Sequence, residues 1–283
     1  MKQVSFVLVF FLTSIYCNAE FIQGIVVDNQ NNKPIGFVSI GILNSPIGTY
    51  SSEIGEFNLD IDEYMENDSL RFSCVGYTSI SFNVSDYIKE NRNSFDTIFL
   101  TEKIVELDEV VIYGSETKTL ILGNRHATGV IKIGFFGDKE LGTIIENDKN
   151  LRLKSVAFKL TMAKYQEPDS AIFRFNIYSL KDNLPDENIL TKPIYFHIRK
   201  GQFHSKQSKF DISDHNIHLD GDFVASFELV KQYKGKRIYF TGKFFGCKTI
   251  YRKGQQAAWT EVRADGSPVS LQQSIEIEAN ILN

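Results

Sequence analysis

Residues Gly55 to Ile61 read GEFNLDI. Phe57, Leu59 and Ile61 alternate with Glu56, Asn58 and Asp60. A period of two sends successive side chains to opposite faces of a β-strand, one toward a core and one toward water. Outward along the chain the same period returns. SVAFKLTM sets Val156, Phe158, Leu160 and Met162 on one face, and FRFNIYS does so with Phe173, Phe175 and Ile177. FVASFEL aligns Phe223, Ala225, Phe227 and Leu229. SIEIEANI aligns Ile275, Ile277, Ala279 and Ile281. Half-buried strands of this kind predict one wet and one buried face each.

Turn chemistry separates the runs: DNQNNKP, NSPIG, KDNLPDEN, LDGD and RADGSP. No long helical period appears, and SDYIKENRN from Ser85 has room for one or two turns. The expected class is therefore all-β, built as antiparallel sandwiches. Alternation lapses across YGSETKTLILGNRHATG (113–129), which places a linker at 113–120.

The chain opens MKQVSFVLVFFLTSIYCNAE. A basic start, an apolar run from Val4 to Ile15 and the small residues of Cys17-Asn18-Ala19 predict a signal peptide over 1–19, cleaved after Ala19. Cys17 offers a rival lipid-anchoring site, but Tyr16 stands where such signals carry a small residue. No later segment is long enough to span a bilayer as a helix. Cys74 and Cys247 then make no disulfide framework. Cys74 is in phase with Leu70 and Phe72, so it is expected to face a core. Residues 20–113 hold 5 basic and 16 acidic side chains, and residues 114–283 hold 25 and 19. The opposite signs favour two bodies that dock. The bases are scattered, which argues against nucleic acid as a partner.

The N-terminal segments follow a known order: GIVVD (24–28), KPIGFVSI (33–40), PIGTYSSEIGEFNL (46–59), DSLRFSCVGYTSISF (68–82) and DTIFLTEKIVELDEVVI (96–112). This resembles the carboxypeptidase-regulatory-like domain. The resemblance implies a transthyretin-like, seven-stranded sandwich over 20–112. It also implies an exported protein of a Gram-negative envelope, in the periplasm or at the outer-membrane surface, because such domains precede starch-utilisation-type TonB-dependent receptors. The chain is too short to add a receptor barrel. Residues 121–283 are similar to the sandwich that follows this domain in other exported proteins, with a jelly-roll-like fold expected. Within the first body, Gly48 and Gly55 are expected to serve tight turns. Tyr77 is expected to bury its ring and leave its hydroxyl in water.

Chemistry-bearing motifs are sparse. A zinc carboxypeptidase needs His-x-x-Glu, and none of His126, His197, His204, His215 or His218 heads one. FDISDHNIHLDGDF (210–223) gathers Asp211, Asp214, His215, His218, Asp220 and Asp222. In a strand, His215 and His218 fall on opposite faces, and the aspartates lack calcium-loop spacing. The expected reading is a turn at SDHNI and an Asp-Gly hairpin leading into FVASFEL, with no metal and no cofactor. SETK (115–118) matches Ser-x-x-Lys but lies in the linker without its partner motifs. Trp259, the one tryptophan, sits in KGQQAAWTEVRADG with Tyr239, Phe244, Phe245 and Tyr251 nearby in sequence. It is the expected binding residue, for a sugar ring or a protein partner; the competing reading makes it a cap on the core. The expectation for the whole is a non-enzymatic binding or assembly module whose partner is an envelope protein or a glycan. The alternatives are a glycan-binding module centred on Trp259 and a hydrolase using paired carboxylates.

Overall fold

The computed structural model describes residues 20–61, 67–91, 94–103, 118–124, 131–134, 139–162, 167–203, 207–235, 237–243, 247–262 and 272–282. The expected signal peptide, His126, His204, Phe244, Phe245, RADGSP and residues 113–117 of the expected linker lie outside that set.

The N-terminal part holds β1 (Glu20–Asp28), β2 (Ser39–Ile42), β3 (Gly48–Tyr50), β4 (Glu56–Ile61), β5 (Ser69–Ser73), β6 (Ile80–Asn83), α1 (Val84–Asn91) and β7 (Phe95–Leu100). They form a three-stranded sheet, β4-β1-β7, and a four-stranded sheet, β3-β2-β5-β6. The seven strands enclose one core containing Val26, Ile40, Leu59, Phe72 and Leu100. β4 carries the quoted alternation faithfully, with Phe57, Leu59 and Ile61 buried and the residues between them exposed. The β1–β7 pair is parallel, a departure from the antiparallel expectation. The close approach at that pair is bought with glycine: a Cβ at Gly24 would stand 2.2 Å from the Asp96 carbonyl oxygen. Gly55 has φ +78°, the conformation its turn requires. Gly48 is different, because it lies inside β3 and its missing Cβ makes room for the Gln255 side chain. Cys74 faces the core as expected. SDYIKENRN yields α1, two turns long, with the Asn83 side chain accepting from the Asp86 N–H.

The second body runs β8 (Thr119–Gly123), β9 (Ile131–Gly134), β10 (Lys139–Ile145), β11 (Asn150–Phe158), β12 (Leu160–Thr161), β13 (Ser170–Lys181), β14 (Leu184–Asn188) and β15 (Ile194–Arg199). It continues with β16 (Ser208–Asp211), β17 (His218–Asp220), β18 (Phe223–Tyr233), β19 (Tyr239–Lys243), β20 (Thr249–Lys253), β21 (Thr260–Glu261), β22 (Gln272–Gln273) and β23 (Ile275–Ile281). A seven-stranded sheet is ordered β14-β13-β18-β10-β20-β21, with β15 also on β13. Across the core lie a five-stranded sheet, β16-β11-β23-β8 with β17 on β11, and a four-stranded sheet, β12-β19-β22 with β9 on β19. Phe158 sits among Phe173, Phe196, Phe210, Phe227 and Phe240, with centroids 4.5 to 6.3 Å away. Rings at these spacings and tilts fill the space between the sheets and interact favourably edge to face.

Two local expectations are corrected. KDNLPDEN is not a loop throughout: only Asp182 and Asn183 turn, with φ +52° and +61°, and LPDEN becomes β14. A two-residue turn with both φ positive matches the twist of a hairpin. The Asp-Gly of LDGDF does turn, at Gly221 with φ +88°. It makes no hairpin, because β17 pairs with β11 while β18 pairs with β13 and β10 in the opposing sheet. The turn carries the chain from one layer to the other.

Candidate functional site

β13 and β18 expose the largest difference from the sequence reading. Phe173, Phe175 and Ile177 enter the core, as their phase demands, yet Arg174, Asn176 and Tyr178 on the other face are also buried. So are Val224, Ser226 and Glu228. The face expected to be wet is covered at Arg174 and Glu228 by the N-terminal sandwich and at Tyr178 and Val224 by Trp259 and Ile250, which periodicity within one strand cannot reveal.

Register assembles a charged row on that face. Arg174 lies opposite Glu228, Glu228 opposite Glu140, and Glu140 opposite Arg252. The row reads plus, minus, minus, plus across four adjacent strands. Two carboxylates side by side on a sheet repel, and the flanking guanidinium groups answer them. Arg174 contacts Glu228 Oε2 at 2.8 Å through Nε and 2.6 Å through Nη2, and Arg252 contacts Glu140 Oε2 at 2.7 and 2.6 Å in the same way. Asn176 Nδ2 donates to Glu140 Oε1 (2.9 Å) and Glu228 Oε2 (3.3 Å), the Ser226 hydroxyl donates to Glu140, and the Tyr178 hydroxyl reaches Glu140 Oε1 at 3.1 Å.

The N-terminal sandwich completes the set. The Tyr50 hydroxyl donates to Glu228 Oε1 at 2.6 Å. Arg174 donates onward to the Phe37 carbonyl and to Ser39 Oγ, both at 2.6 Å. Phe37 holds φ +58°, a conformation that is rare for a bulky residue and indicates local strain. At the rim, Glu53 accepts from Lys231 (2.8 Å) and Tyr233 (2.7 Å), and Gln256 donates to Ser73 (2.9 Å). Burial works against the charged form of Glu228. The charges of Arg174 and Arg252 and the Tyr50 hydrogen bond outweigh it, so its pKa lies below the ordinary glutamate value.

A cleft of about 750 Å³ opens beside this interface, with residues of both bodies in its walls. Phe37, Tyr77 and Tyr195 supply aromatic surface; Lys33, Lys103 and Lys192 supply positive charge. Two of these lysines come from the N-terminal body, where bases are scarce. The Tyr77 hydroxyl does not end in water as expected: it donates to Asp28 at 3.1 Å. Burial and that contact push the Tyr77 pKa up to about 12. Asp28 also accepts from the Gln30 and Asn31 N–H groups and is held below the usual carboxylate range, Gln30 contributing most. The volume and the position between two bodies suit a ligand site.

Trp259 is partly buried. Its ring meets Tyr178 edge-on (5.7 Å between centroids), Arg252 stands 5.0 Å over its face, and Val224 and Ile250 complete the patch. Tyr251 lies on β20 under Lys139, and Tyr239 opens β19. Of the aspartate and histidine cluster, Asp211 accepts from Ser213 N–H and hydroxyl, Asp222 from the Asn147 N–H, and His218 meets Asn216 at 3.2 Å. Among the described residues, no three of His, Cys, Asp and Glu are grouped to hold a metal. No described helix is long and apolar enough to cross a membrane.

Comparison with known proteins agrees with the first body. Residues 22–112 match the family model of the CarboxypepD_reg-like domain, and the two sheets described for this part agree with the β-sandwich expected of it. No curated protein matches the chain. Among solved structures, one described as the structure of infectious bursal disease virus Gx strain aligns at 8% identity and a TM-score of 0.22, covering 93% of this chain. The alignment spans 65% of that viral chain, and at this score it supports no conclusion about fold or function.

Proposed function

We propose that the protein is an exported binding or assembly module of the bacterial envelope, without enzymatic activity of its own. In this reading 1–19 direct export, and the expected sandwiches over 20–112 and 121–283 act as one unit that presents the cleft to an envelope protein or a glycan; Thr119 and Leu120 of the expected 113–120 linker belong to β8 and so to the second sandwich. The observation that carries it is the Arg174–Glu228–Glu140–Arg252 row. A hydrolase needs a carboxylate that can reach substrate and exchange a proton. These adjoining carboxylates are 1% exposed, each is paired with an arginine, and Glu228 is held toward its ionised form. Glu228 and Arg174 join the two bodies through Tyr50, Phe37 and Ser39, while the open concave surface beside them is lined by aromatic rings and by charges of both signs.

The alternative glycan site at Trp259 draws support from its partly open ring beside exposed Ala258 and Thr260. One experiment separates the readings. Chain 20–283 is screened on a glycan panel and on purified envelope proteins, beside Tyr195→Ala, Lys192→Glu and Trp259→Ala. Binding weakened about tenfold or more by the first two variants and kept by the third is the expected result. Glycan binding lost only in Trp259→Ala moves the site to the tryptophan. Glycan or peptide turnover that disappears in a folded Glu140→Gln variant overturns the non-enzymatic reading.

A further inference from the structure

A second surface lies on the far side of the N-terminal sandwich. Among the described residues β7 is the last strand of its sheet, paired with β1, and β6 is likewise the last strand of the other sheet. The two edges flank a groove of about 440 Å³, closed at one end by α1.

Backbone directions show what the β7 edge offers. The Leu100 carbonyl accepts from the Asn29 N–H on the β1 side. One residue later the Thr101 carbonyl accepts from the Thr78 N–H, and the Lys103 N–H donates to the Gly76 carbonyl, on the opposite side. Directions alternate along a strand, so the backbone groups of Phe95, Thr97 and Phe99 face the side that residues 76–78 occupy further on. Beyond Thr78 the chain leaves for β6, and among the described residues no strand pairs with the Phe95–Phe99 edge on that side. That edge is about 16 Å long at ordinary strand rise. Asp96 turns its own carboxylate onto the Thr97 N–H (2.7 Å) and accepts from the Tyr87 hydroxyl (2.7 Å) with its other oxygen.

Side chains give the groove its character. Phe82 and Phe99, 37% and 47% exposed, present apolar surface, and Asp86, Glu90 and Asp96 present acid. Lys89 meets Asp86 at 3.5 Å, but both side chains are more than two-thirds exposed and the pair is weakly held. An open strand edge with an acidic, partly apolar border fits an extended chain that supplies backbone hydrogen bonds, alternate apolar side chains and positive charge.

We propose that the Phe95–Phe99 edge is a docking site for a basic, extended polypeptide segment of a partner protein, which joins the β4-β1-β7 sheet as a fourth strand. The site is independent of the cleft, so either can fail without the other.

The test uses chain 20–283 and two capped seven-residue peptides, one alternating Lys with Val and the other Glu with Val. Affinity is read by fluorescence anisotropy and location by backbone amide NMR. The expected result is saturable binding of the lysine peptide, at least tenfold tighter than the glutamate peptide, with shifts centred on 95–99. Phe99→Pro removes an N–H on the open side, where an edge strand tolerates proline, and abolishes binding. Asp86→Lys with Glu90→Lys, both exposed on α1, reverses the peptide preference and keeps the test valid if the proline variant fails to fold. No saturable lysine-peptide binding, equal affinity for both peptides, or shifts away from β7 overturns the proposal. Self-association of the free chain that Phe99→Pro abolishes also overturns it, assigning the edge to a second copy.

Discussion

At the scale of residues, Arg174 decides most. It is 3% exposed, pairs with Glu228 in its own sheet and binds Phe37 and Ser39 across the interface. Removing one member of a buried pair leaves an uncompensated charge, at a cost of about 3–5 kcal/mol. Arg174→Met is therefore expected to lose about that much in denaturant unfolding, and Arg174→Met with Glu228→Met to regain a large part of it. A double variant no more stable than the single one would mean that the pair is not the source of the loss. None of this could be read from the sequence. Arg174 sits between Phe173 and Phe175 as any wet-face residue would, and Glu228 does the same in FVASFEL. The burial of those positions depends on residues more than a hundred positions away. The phase of the strands was legible, because alternation is local; the cover over their second face was not.

At the scale of elements, β13 and β18 are the long central strands, and each carries an unbroken run of buried residues, Ala171–Tyr178 and Phe223–Leu229. They belong to two contact surfaces at once, the aromatic core on one face and the charged row on the other. Phe158 stands at the centre of that core, on β11 opposite them. Phe158→Ala is expected to destabilise the protein by about 3–5 kcal/mol, measured as a lower denaturant midpoint with an unchanged slope. A loss below about 1 kcal/mol would show that the facing sheets close over the gap. The element boundaries followed turn chemistry where the turn was local, as at Asp182-Asn183. They misled at Asp220-Gly221, because the same dipeptide serves a hairpin and a crossing between layers. What distinguishes the two is the strand on which β17 finds its partner, and that strand is β11, dozens of residues earlier.

At the scale of the molecule, the uneven charge of the two halves has a structural counterpart in Glu53–Lys231 at the rim. The acid sensitivity of the whole can be derived from the carboxylates. Glu228 has a lowered pKa in the folded state, so its contribution is present above the ordinary value of 4.5 and is lost as pH falls through the lowered folded value. Asp28, Glu53, Asp211 and Glu278 are shifted in the same direction. Stability is expected to be level above about pH 5 and to fall progressively below the ordinary glutamate value. Thermal unfolding followed between pH 3 and pH 7 checks this. A Glu228→Gln variant should show a shallower acid decline than the wild type, and a decline of equal depth would remove Glu228 as its main source.

The hydroxyls of Ser39 and Tyr50 and the carbonyl of Phe37 have a consequence for inheritance. A sandwich that meets its neighbour only through a linker can be exchanged for any other of the same fold. Here the neighbour's sheet holds two buried carboxylates and two arginines, and part of their coordination is supplied from outside. A transplanted N-terminal domain would have to carry a hydroxyl at position 39 and a phenol at position 50, or leave Arg174 and Glu228 short of partners. The two halves are therefore expected to change together over descent, their lineages coupled at a handful of positions and free elsewhere.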